Sequence, residues 1–193
     1  MRIVTPQHGF TLTEMAVTVA VLAILAALAV PSFQSTIDKR RLIGAAEQLY
    51  GDLQYARSEA IKGDQRVGVY FSTGTTSWCY GMDDDTTSPC VCTATVTNCT
   101  VDTVEKVFKS DGFRGVSLAI PLGFGGAGPP DETGFEPRRG LPMRTINSLL
   151  AGGTISLSST SGGINVVLSS RGRIKLCSPS SPPLSGYPAC GPP

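Results

Sequence analysis

The side chains that most often carry catalysis or bind metal ions are scarce in this chain of 193 residues. Its one histidine, His8, stands near the N-terminus, ahead of a long apolar stretch. The commonest hydrolase mechanisms pair a histidine with a nucleophile and an acid, and a single remote imidazole does not fit them. We therefore expect no enzymatic activity and no cofactor.

Two short motifs have the spacing of ligand sites but lack the surroundings that such sites need. Residues 123–128 fit GxGxxG, yet they run into two prolines rather than into a helix whose N-terminus could hold a pyrophosphate. Asp83, Asp84 and Asp85 could contact calcium, but they lack the spaced ligands of a calcium-binding loop. We interpret the first motif as a loop and the second as an acidic turn.

Six cysteines follow the apolar stretch: Cys79, Cys90, Cys92, Cys99, Cys177 and Cys190. In an oxidising compartment they would form disulfides, for which six cysteines allow fifteen pairings. We expect Cys177 and Cys190 to close a C-terminal loop and the other four to staple one insertion. Zinc is the alternative, since Cys90, Cys92 and Cys99 could supply thiolates, but their spacing differs from the CxxC pairs of structural zinc sites.

Charge is balanced in total but not along the chain. Sixteen basic residues oppose fifteen acidic ones, so the net charge of +1 does not indicate a nucleic-acid or membrane-surface partner. Residues 63–135 hold nine acidic and four basic side chains, whereas residues 136–193 hold one and six. The six bases of the last segment are Arg138, Arg139, Arg144, Arg171, Arg173 and Lys175. Gathered on a hairpin they could neutralise DNA phosphates; alternatively, Arg173 pairs with an acid of the middle segment.

The longest apolar stretch covers residues 15–30 and contains no charge. A helix over residues 10–33 would reach about 36 Å, against a bilayer core of roughly 30 Å. This length favours a membrane anchor over a cleavable secretory signal. Glu14 directly precedes this stretch and lies within the helix of residues 10–33, where an unpaired carboxylate would be costly in lipid.

The residues around Glu14 resemble the processing site of type IV prepilins and of the pseudopilins of type II secretion. MRIVTPQHG ends at Gly9 and is followed by FTLTE, so Phe10 and Glu14 stand at the first and fifth mature positions of those proteins. The resemblance implies cleavage after Gly9 by a prepilin peptidase, N-methylation of Phe10 and loss of His8 with the leader. Glu14 would then pair with the new amino terminus of a neighbouring subunit. Pro31 stands where such pilins commonly have a helix-kinking proline.

A helical period continues beyond the apolar stretch and gives way to short β-rich runs. Its apolar residues are spaced alternately by four and three, and Gly63 could form a left-handed cap: Leu42, Ala46, Leu49, Leu53, Ala56 and Ala60. Seven runs rich in β-forming residues follow: 66–71, 78–82, 104–108, 116–120, 154–157, 164–168 and 173–177. Several of these runs alternate apolar with polar residues, which is typical of an antiparallel sheet with one solvent-exposed face. The sequence therefore predicts a helix packed on a sheet.

Four segments narrow the resemblance to the GspH/FimT family of minor pilins and pseudopilins. They occur in the family's order: Ala56 to Ile61, Trp78 to Gly81, Phe135 to Gly140, and Ser170 to Lys175. In the first, we interpret Arg57 and Glu59 as a solvated or locally paired face. The resemblance covers Gly9 to about Cys177 and implies an α+β, type IV pilin-like fold with disulfide-stapled loops. Its implied parts are a leader (1–9), a transmembrane helix (10–33) and a periplasmic head (34–193) with an amphipathic helix (36–62) and a Pro/Ser tail (178–193).

The implied function is that of a minor pilin of the FimT, FimU or GspH kind, assembled into a type IV pilus or a type II secretion pseudopilus. Its partners would be other pilins or pseudopilins, the prepilin peptidase and the inner membrane, with the head in the periplasm. The alternative is binding of double-stranded DNA for natural transformation, since a Gly-Arg-x-Arg element is associated with DNA capture in the FimT branch. Here Lys175 replaces the last arginine after Gly172 and Arg173, which keeps the charge but not the bidentate fork.

Overall fold

The computed structural model describes residues 9–75, 77–84, 90–94, 97–121, 124, 132–144, 148–149 and 152–191, with residues 28–32, 144 and 148–149 by backbone only. One long helix, α1 (Leu12–Lys62), opens the chain, and strands with a short 3₁₀ helix follow it. The chain divides into two compact units, Met1–Ile37 and Asp38–Pro193.

The first unit is helical from Leu12 onward and exposes its apolar side chains. Exposed large apolar residues of this unit are Phe10, Leu12, Met15, Val17, Val19, Val21, Leu22, Ile24, Leu25, Phe33 and Ile37. They point in all directions around the helix, because successive residues of an α-helix are about 100° apart. No helix in the described part of the chain meets the length and hydropathy of a membrane span.

The second unit begins with the remainder of α1, whose apolar stripe is buried. All six predicted stripe residues, from Leu42 to Ala60, are at most 1% exposed, which confirms the predicted amphipathic face. The helix ends at Lys62, directly before Gly63 as predicted, but Gly63 is not the left-handed residue. Asp64 has the positive φ, 47°, and the Gln65 N–H donates to the Ala60 carbonyl at 3.2 Å, so the left-handed residue comes one position later.

Twelve strands follow the helix in the described part of the chain. They are β1 (Val67–Ser72), β2 (Cys79–Asp83), β3 (Thr100–Val101), β4 (Val104–Glu105), β5 (Val107–Lys109), β6 (Ser117–Ala119), β7 (Glu132–Phe135), β8 (Pro142–Arg144), β9 (Ser148–Leu149), β10 (Gly153–Ser159), β11 (Gly162–Leu168) and β12 (Ile174–Cys177). The 3₁₀ helix, Ser110–Gly112, lies between β5 and β6. Every predicted run overlaps a strand, and the run at 104–108 is split because β4 pairs with β3 and β5 with β2.

The strands form a large sheet, a small sheet and a two-stranded ribbon, all antiparallel. The large sheet has the order β5-β2-β1-β7-β8-β9, the small sheet β12-β11-β10-β6, and the ribbon is β3-β4. An isolated bridge joins the two sheets, because Gly74 and Leu118 exchange two backbone hydrogen bonds of 3.2 and 3.1 Å. The small sheet alternates as predicted: Ile164, Val166 and Leu168 of β11 are buried.

One hydrophobic core lies between the helical stripe and the inward faces of both sheets. A row of aromatic rings extends it. Trp78 stacks on Tyr80 and Phe108, with ring centroids 6.4 and 6.3 Å apart, and the Trp78 indole N–H donates to the Val116 carbonyl at 2.7 Å. Each large side chain buried in this way stabilises the fold by roughly 1.5–3 kcal/mol. The observed α+β architecture with a helix packed on antiparallel sheets is the predicted one.

Candidate functional site

The first turn of α1 holds the side chain that the sequence predicts to be central to assembly. The Glu14 N–H donates to Thr11 Oγ1 at 3.3 Å, and the Thr11 hydroxyl donates to Glu14 Oε2 at 3.4 Å. Thr11 therefore acts as the N-cap of the helix, in the T-x-x-E pattern of a capping box. The sequence reasoning missed this local role, although the spacing of threonine and glutamate contains its signal.

This end of the chain presents an anion beside exposed apolar surface. Phe10 is 80% exposed and Leu12 86% exposed, and Glu14 is also exposed. A carboxylate in the first helical turn is favoured by the partial positive charge of the helix N-terminus. The arrangement can therefore receive an ammonium group without a change in the helix. Pro31 lies within the helix, and Gly9 lies three residues before Leu12, where the helix begins; the other residues of the predicted leader, 1–8, lie outside the described residues.

Arg57 joins three of the segments that carry the family resemblance. Its guanidinium Nη1 donates to the Gly172 carbonyl at 2.9 Å, across 115 positions of sequence. A Cβ placed on Gly140 would lie 2.8 Å from Arg57 Nε, and one placed on Gly172 would lie 2.7 Å from the Gly140 carbonyl oxygen. The helix, the turn after β7 and the turn before β12 thus meet in one tight contact.

The interpretation of Arg57 as a solvated or locally paired side chain is therefore wrong. The guanidinium is partly buried, and its Nε is fully buried without a hydrogen-bond partner among the described residues. Both glycines have φ values that favour glycine, 60° at Gly140 and 77° at Gly172. Glu59 does agree with its interpretation, because it pairs locally with Lys62 at 3.0 Å.

The cysteines form three disulfides, Cys79–Cys92, Cys90–Cys99 and Cys177–Cys190. The last of them is the predicted C-terminal closure, and the first two staple the predicted insertion. All six sulfurs are thereby occupied, so the zinc alternative has no thiolate to use. The Cys90–Cys99 bond packs directly on β2, where a Cβ on Gly81 would lie 2.4 Å from Cys90 Sγ.

Two side-chain hydrogen bonds connect the ring closed by Cys177–Cys190 to α1. The Lys39 ammonium donates to Ser185 Oγ at 2.9 Å, and the Tyr187 hydroxyl donates to Glu47 Oε1 at 3.1 Å. Partial burial, followed by the bond to Glu47, raises the pKa of Tyr187 above its usual range. A cavity of about 530 Å³ lies beside the ring and is lined mainly by serine and proline. The tail is therefore an ordered part of the head.

A second hydroxyl bonds the helix to the large sheet. The Tyr80 hydroxyl donates to Asp52 Oδ2 at 2.6 Å, while Gln48 donates to the same oxygen at 3.1 Å. Burial, together with the charge of Asp52, raises the pKa of Tyr80 well above its usual range. This pair stabilises the packing of α1 on β2.

The six basic residues of the C-terminal segment fall into two groups and one separate residue. Arg171, Arg173 and Lys175 are exposed on the turn before β12 and on β12 itself. Arg138 and Arg139 lie on the turn after β7. This turn touches the turn before β12, because Gly140 and Gly172 are in close contact. The separate residue is Arg144, at the end of β8.

Among the five of these residues whose side chains the structure describes, all but Arg144, one forms a salt bridge. Arg139 Nε forms a salt bridge with Glu136 at 2.9 Å. Within the described ranges, Arg171, Arg173 and Lys175 form no salt bridge, so the alternative in which Arg173 pairs with an acid of the middle segment is not observed there. The part of the predicted patch formed by Arg171, Arg173 and Lys175 is therefore exposed.

The interpretation of the three aspartates as an acidic turn is wrong for Asp83, which is the buried last residue of β2; Asp84 follows the strand and accepts hydrogen bonds from two other segments. Asp84 Oδ2 accepts hydrogen bonds from the Asp102 N–H at 2.8 Å and from Gln65 Nε2 at 3.0 Å. Asp85 and, except for Phe124, the glycine-rich motif at 123–128 lie outside the described residues. Among those that are described, no three histidine, cysteine, aspartate or glutamate side chains are grouped to hold a metal ion.

Comparison with known families identifies two segments. The family described as "Type II transport protein GspH" matches residues 45–172, and the prokaryotic N-terminal methylation motif matches residues 5–30. The first match spans the Arg57 contact, the insertion and most of both sheets. No curated protein matches the chain.

Several solved structures are similar to this chain. The type IV minor pilin FimU of Pseudomonas aeruginosa has 21% identity, with 76% of this chain and 94% of FimU covered and a TM-score of 0.47. The minor pseudopilin EpsH from the type II secretion system of Vibrio cholerae has 18% identity, with 74% of this chain and 97% of EpsH covered and a TM-score of 0.49.

Proposed function

Because the chain belongs to the GspH family, whose model matches residues 45–172, we propose that it is a minor subunit of a type IV pilus or a type II secretion pseudopilus. The observation that carries this proposal is the first half of α1. Its apolar side chains are exposed on every side of the helix, which leaves a large unpaired hydrophobic surface. Such a surface is stable in lipid or among similar helices and unstable in water.

The proposal includes a maturation step at the N-terminus. We place the cleavage between Gly9 and Phe10, followed by N-methylation of Phe10, and the methylation motif at residues 5–30 supports this. Before assembly, residues 10–33 would anchor the chain in the inner membrane with the head in the periplasm. The disulfides of the head suit that oxidising compartment.

Glu14 then has an intermolecular role in the proposal. The new ammonium of Phe10 in one subunit pairs with Glu14 of its neighbour, which removes the cost of burying either charge alone. Pairing of this kind fixes the axial register between adjacent helices.

The test compares Glu14 variants in cells that assemble the native filament. Glu14→Ala and Glu14→Gln should insert normally but lose incorporation into filaments, whereas Glu14→Asp should retain part of it. Thr11→Ala is the matched control, because it removes the helix cap and leaves the carboxylate. Normal incorporation of Glu14→Gln, measured by immunoblot of sheared filaments or by secretion, would contradict the pairing.

DNA binding is a second candidate function, favoured by one observation. Arg171, Arg173 and Lys175 are exposed and adjacent, and in the described part of the chain no acid neutralises them. Contacts of this type neutralise phosphates and weaken steeply as salt rises.

The DNA candidate is tested with the full chain in detergent and a labelled duplex at about 50 mM salt. Changing Arg171, Arg173 and Lys175 together to alanine should abolish binding. Arg139→Ala is the control and should change little, since that charge is already paired with Glu136. Absence of binding by the unmodified chain would exclude this function.

A further inference from the structure

Strand β12 lies at one edge of the small sheet, and its only partner among the described strands is β11. The Ser169 N–H donates to the Arg173 carbonyl at 2.9 Å, which shows that the backbone of Arg173 faces β11. Backbone groups alternate along an edge strand, so Lys175 also faces β11, whereas Ile174 and Leu176 direct their N–H and C=O groups away from the sheet.

Both ends of this edge are closed by the chain itself. At one end, the Gly172 carbonyl accepts a hydrogen bond from Arg57. At the other end, the Ser178 N–H donates to the Pro188 carbonyl at 2.8 Å, and the Cys190 N–H donates to the Ser178 carbonyl at 2.9 Å. These two bonds are those of a parallel strand pair. The tail therefore forms one parallel bridge at Ser178, directly after β12.

The tail cannot extend this bridge toward Leu176. The next rung of a parallel pair would need an N–H from residue 188 to the Leu176 carbonyl, and Pro188 has none. No described residue hydrogen-bonds the outward backbone groups of Ile174 or Leu176. The edge is thus open between two closed ends.

The side chains beside the open edge carry positive charge on one face. Arg173 and Lys175 are exposed on the outer face, and Ile174 is buried on the opposite face. Neither cation has a salt-bridge partner within the residues that the structure describes. A strand added to this edge would place its own alternate side chains next to these two cations.

We propose that the open edge of β12 binds an extended acidic segment of a neighbouring subunit by strand addition. Backbone hydrogen bonds to Ile174 and Leu176 supply the pairing, and carboxylates two residues apart in the partner meet Arg173 and Lys175. The inference rests on the proposed function only in naming a neighbouring subunit as the source of the segment. A nucleic acid would use the charges but has no backbone ladder to offer the edge.

The probe is a blocked, labelled seven-residue peptide that alternates glutamate with valine, titrated by fluorescence anisotropy into the full chain in detergent micelles. A second peptide with lysine in place of glutamate tests charge. The native chain should bind the glutamate peptide and not the lysine peptide. No binding of the glutamate peptide to the native chain would overturn the proposal.

Two variants separate strand addition from attraction between charges. Leu176→Pro removes one outward donor and leaves the ladder to β11 intact, because the Leu176 N–H is not part of that ladder. It should weaken binding at least tenfold, whereas Leu176→Val should not. Arg173→Glu with Lys175→Glu should reverse the preference toward the lysine peptide without changing the backbone.

Three further results would test the pairing through the edge, the identity of the partner and the independence of the edge from filament assembly. Native affinity in Leu176→Pro, with its urea unfolding unchanged, would refute pairing through the edge. Dimerisation of the chain that Leu176→Pro abolishes would replace the proposed partner with a second copy. Glu14→Gln should bind the peptide like the native chain, so failure of filament incorporation and failure of this edge are distinguishable.

Discussion

Replacing Arg57 tests whether its contact with the two glycine turns holds the head together. Arg57→Ala removes the 2.9 Å bond to the Gly172 carbonyl, and hydrogen bonds to charged groups contribute about 1.5–3 kcal/mol. It also removes side-chain methylenes packed against the turns, at about 0.8 kcal/mol for each one buried. The buried Nε without a partner offsets part of this loss, since an unsatisfied group costs about 1–3 kcal/mol. We expect a net loss of about 2–3 kcal/mol.

Alanine at the two glycines turns this expectation into a geometric test. Gly140→Ala would place a Cβ 2.8 Å from both Arg57 Nε and Ile61 Cδ1 and 2.9 Å from Arg57 Cγ, so two of its three close contacts are with Arg57, whereas the shortest contact at Gly172→Ala is 2.7 Å to the Gly140 carbonyl oxygen. Each substitution also costs about 1–2 kcal/mol for its left-handed backbone. In the Arg57→Ala background, Gly140→Ala should become less costly by about 1 kcal/mol or more, while Gly172→Ala should keep most of its cost.

The assay is urea unfolding of the full chain in nonionic detergent, with the disulfides intact. Trp78 is the only tryptophan, and it is buried in the core, so its fluorescence reports the unfolding of the head. Additive effects of Arg57→Ala and Gly140→Ala would refute the contact as described. So would a loss below about 0.5 kcal/mol for Arg57→Ala alone, since that is the size expected for an ordinary surface substitution.

Two further predictions concern the helix and the tail. Tyr80→Phe should lower the free energy of unfolding by about 1.5–3 kcal/mol, because it removes the bond to Asp52. The pKa of Tyr80 is raised in the folded state. Its contribution to the free energy of unfolding is therefore complete below the pKa of an unfolded tyrosine, about 10, and decreases as the pH rises above that value. Urea titrations at neutral and alkaline pH should show that the free energy of unfolding falls less steeply with pH in Tyr80→Phe than in the native chain. Replacing Cys177 and Cys190 by serine opens a ring with a sequence separation of 13. The free energy of unfolding should fall by about 2–3 kcal/mol in the same assay. An unchanged urea midpoint would show that the disulfide adds nothing to stability.

The parts of the fold that depend on local periodicity are predictable from the sequence. The stripe from Leu42 to Ala60 is visible because a helix repeats every 3.6 residues, and burial follows from that spacing. The long strands β10 and β11 are visible for the corresponding reason, with a period of two. The strands β3, β7, β8 and β9 are not predicted, because they are two to four residues long and are defined by their partners.

The candidate site is predictable only where its chemistry is encoded in neighbouring residues. Gly9, Phe10 and Glu14 are adjacent in sequence, and their resemblance to a processing site is readable there. The role of Arg57 is not readable, because its partner is a backbone carbonyl 115 positions away and any residue type supplies a carbonyl. The available signal was the pair Gly140 and Gly172, whose missing side chains leave room for the guanidinium.

Amide hydrogen exchange at the bridge between Gly74 and Leu118 would measure how often the two sheets separate. The two amide protons of the bridge are held by a single pair of residues rather than by a continuous ladder, so their exchange with solvent deuterium requires only that the large and small sheets part at this point. Amides in the middle of β10 and β11 exchange only when a whole hairpin opens. The exchange rate of the bridge amides, compared with that of the amides in β10 and β11, would therefore show how much more often the two sheets separate than the hairpin unfolds.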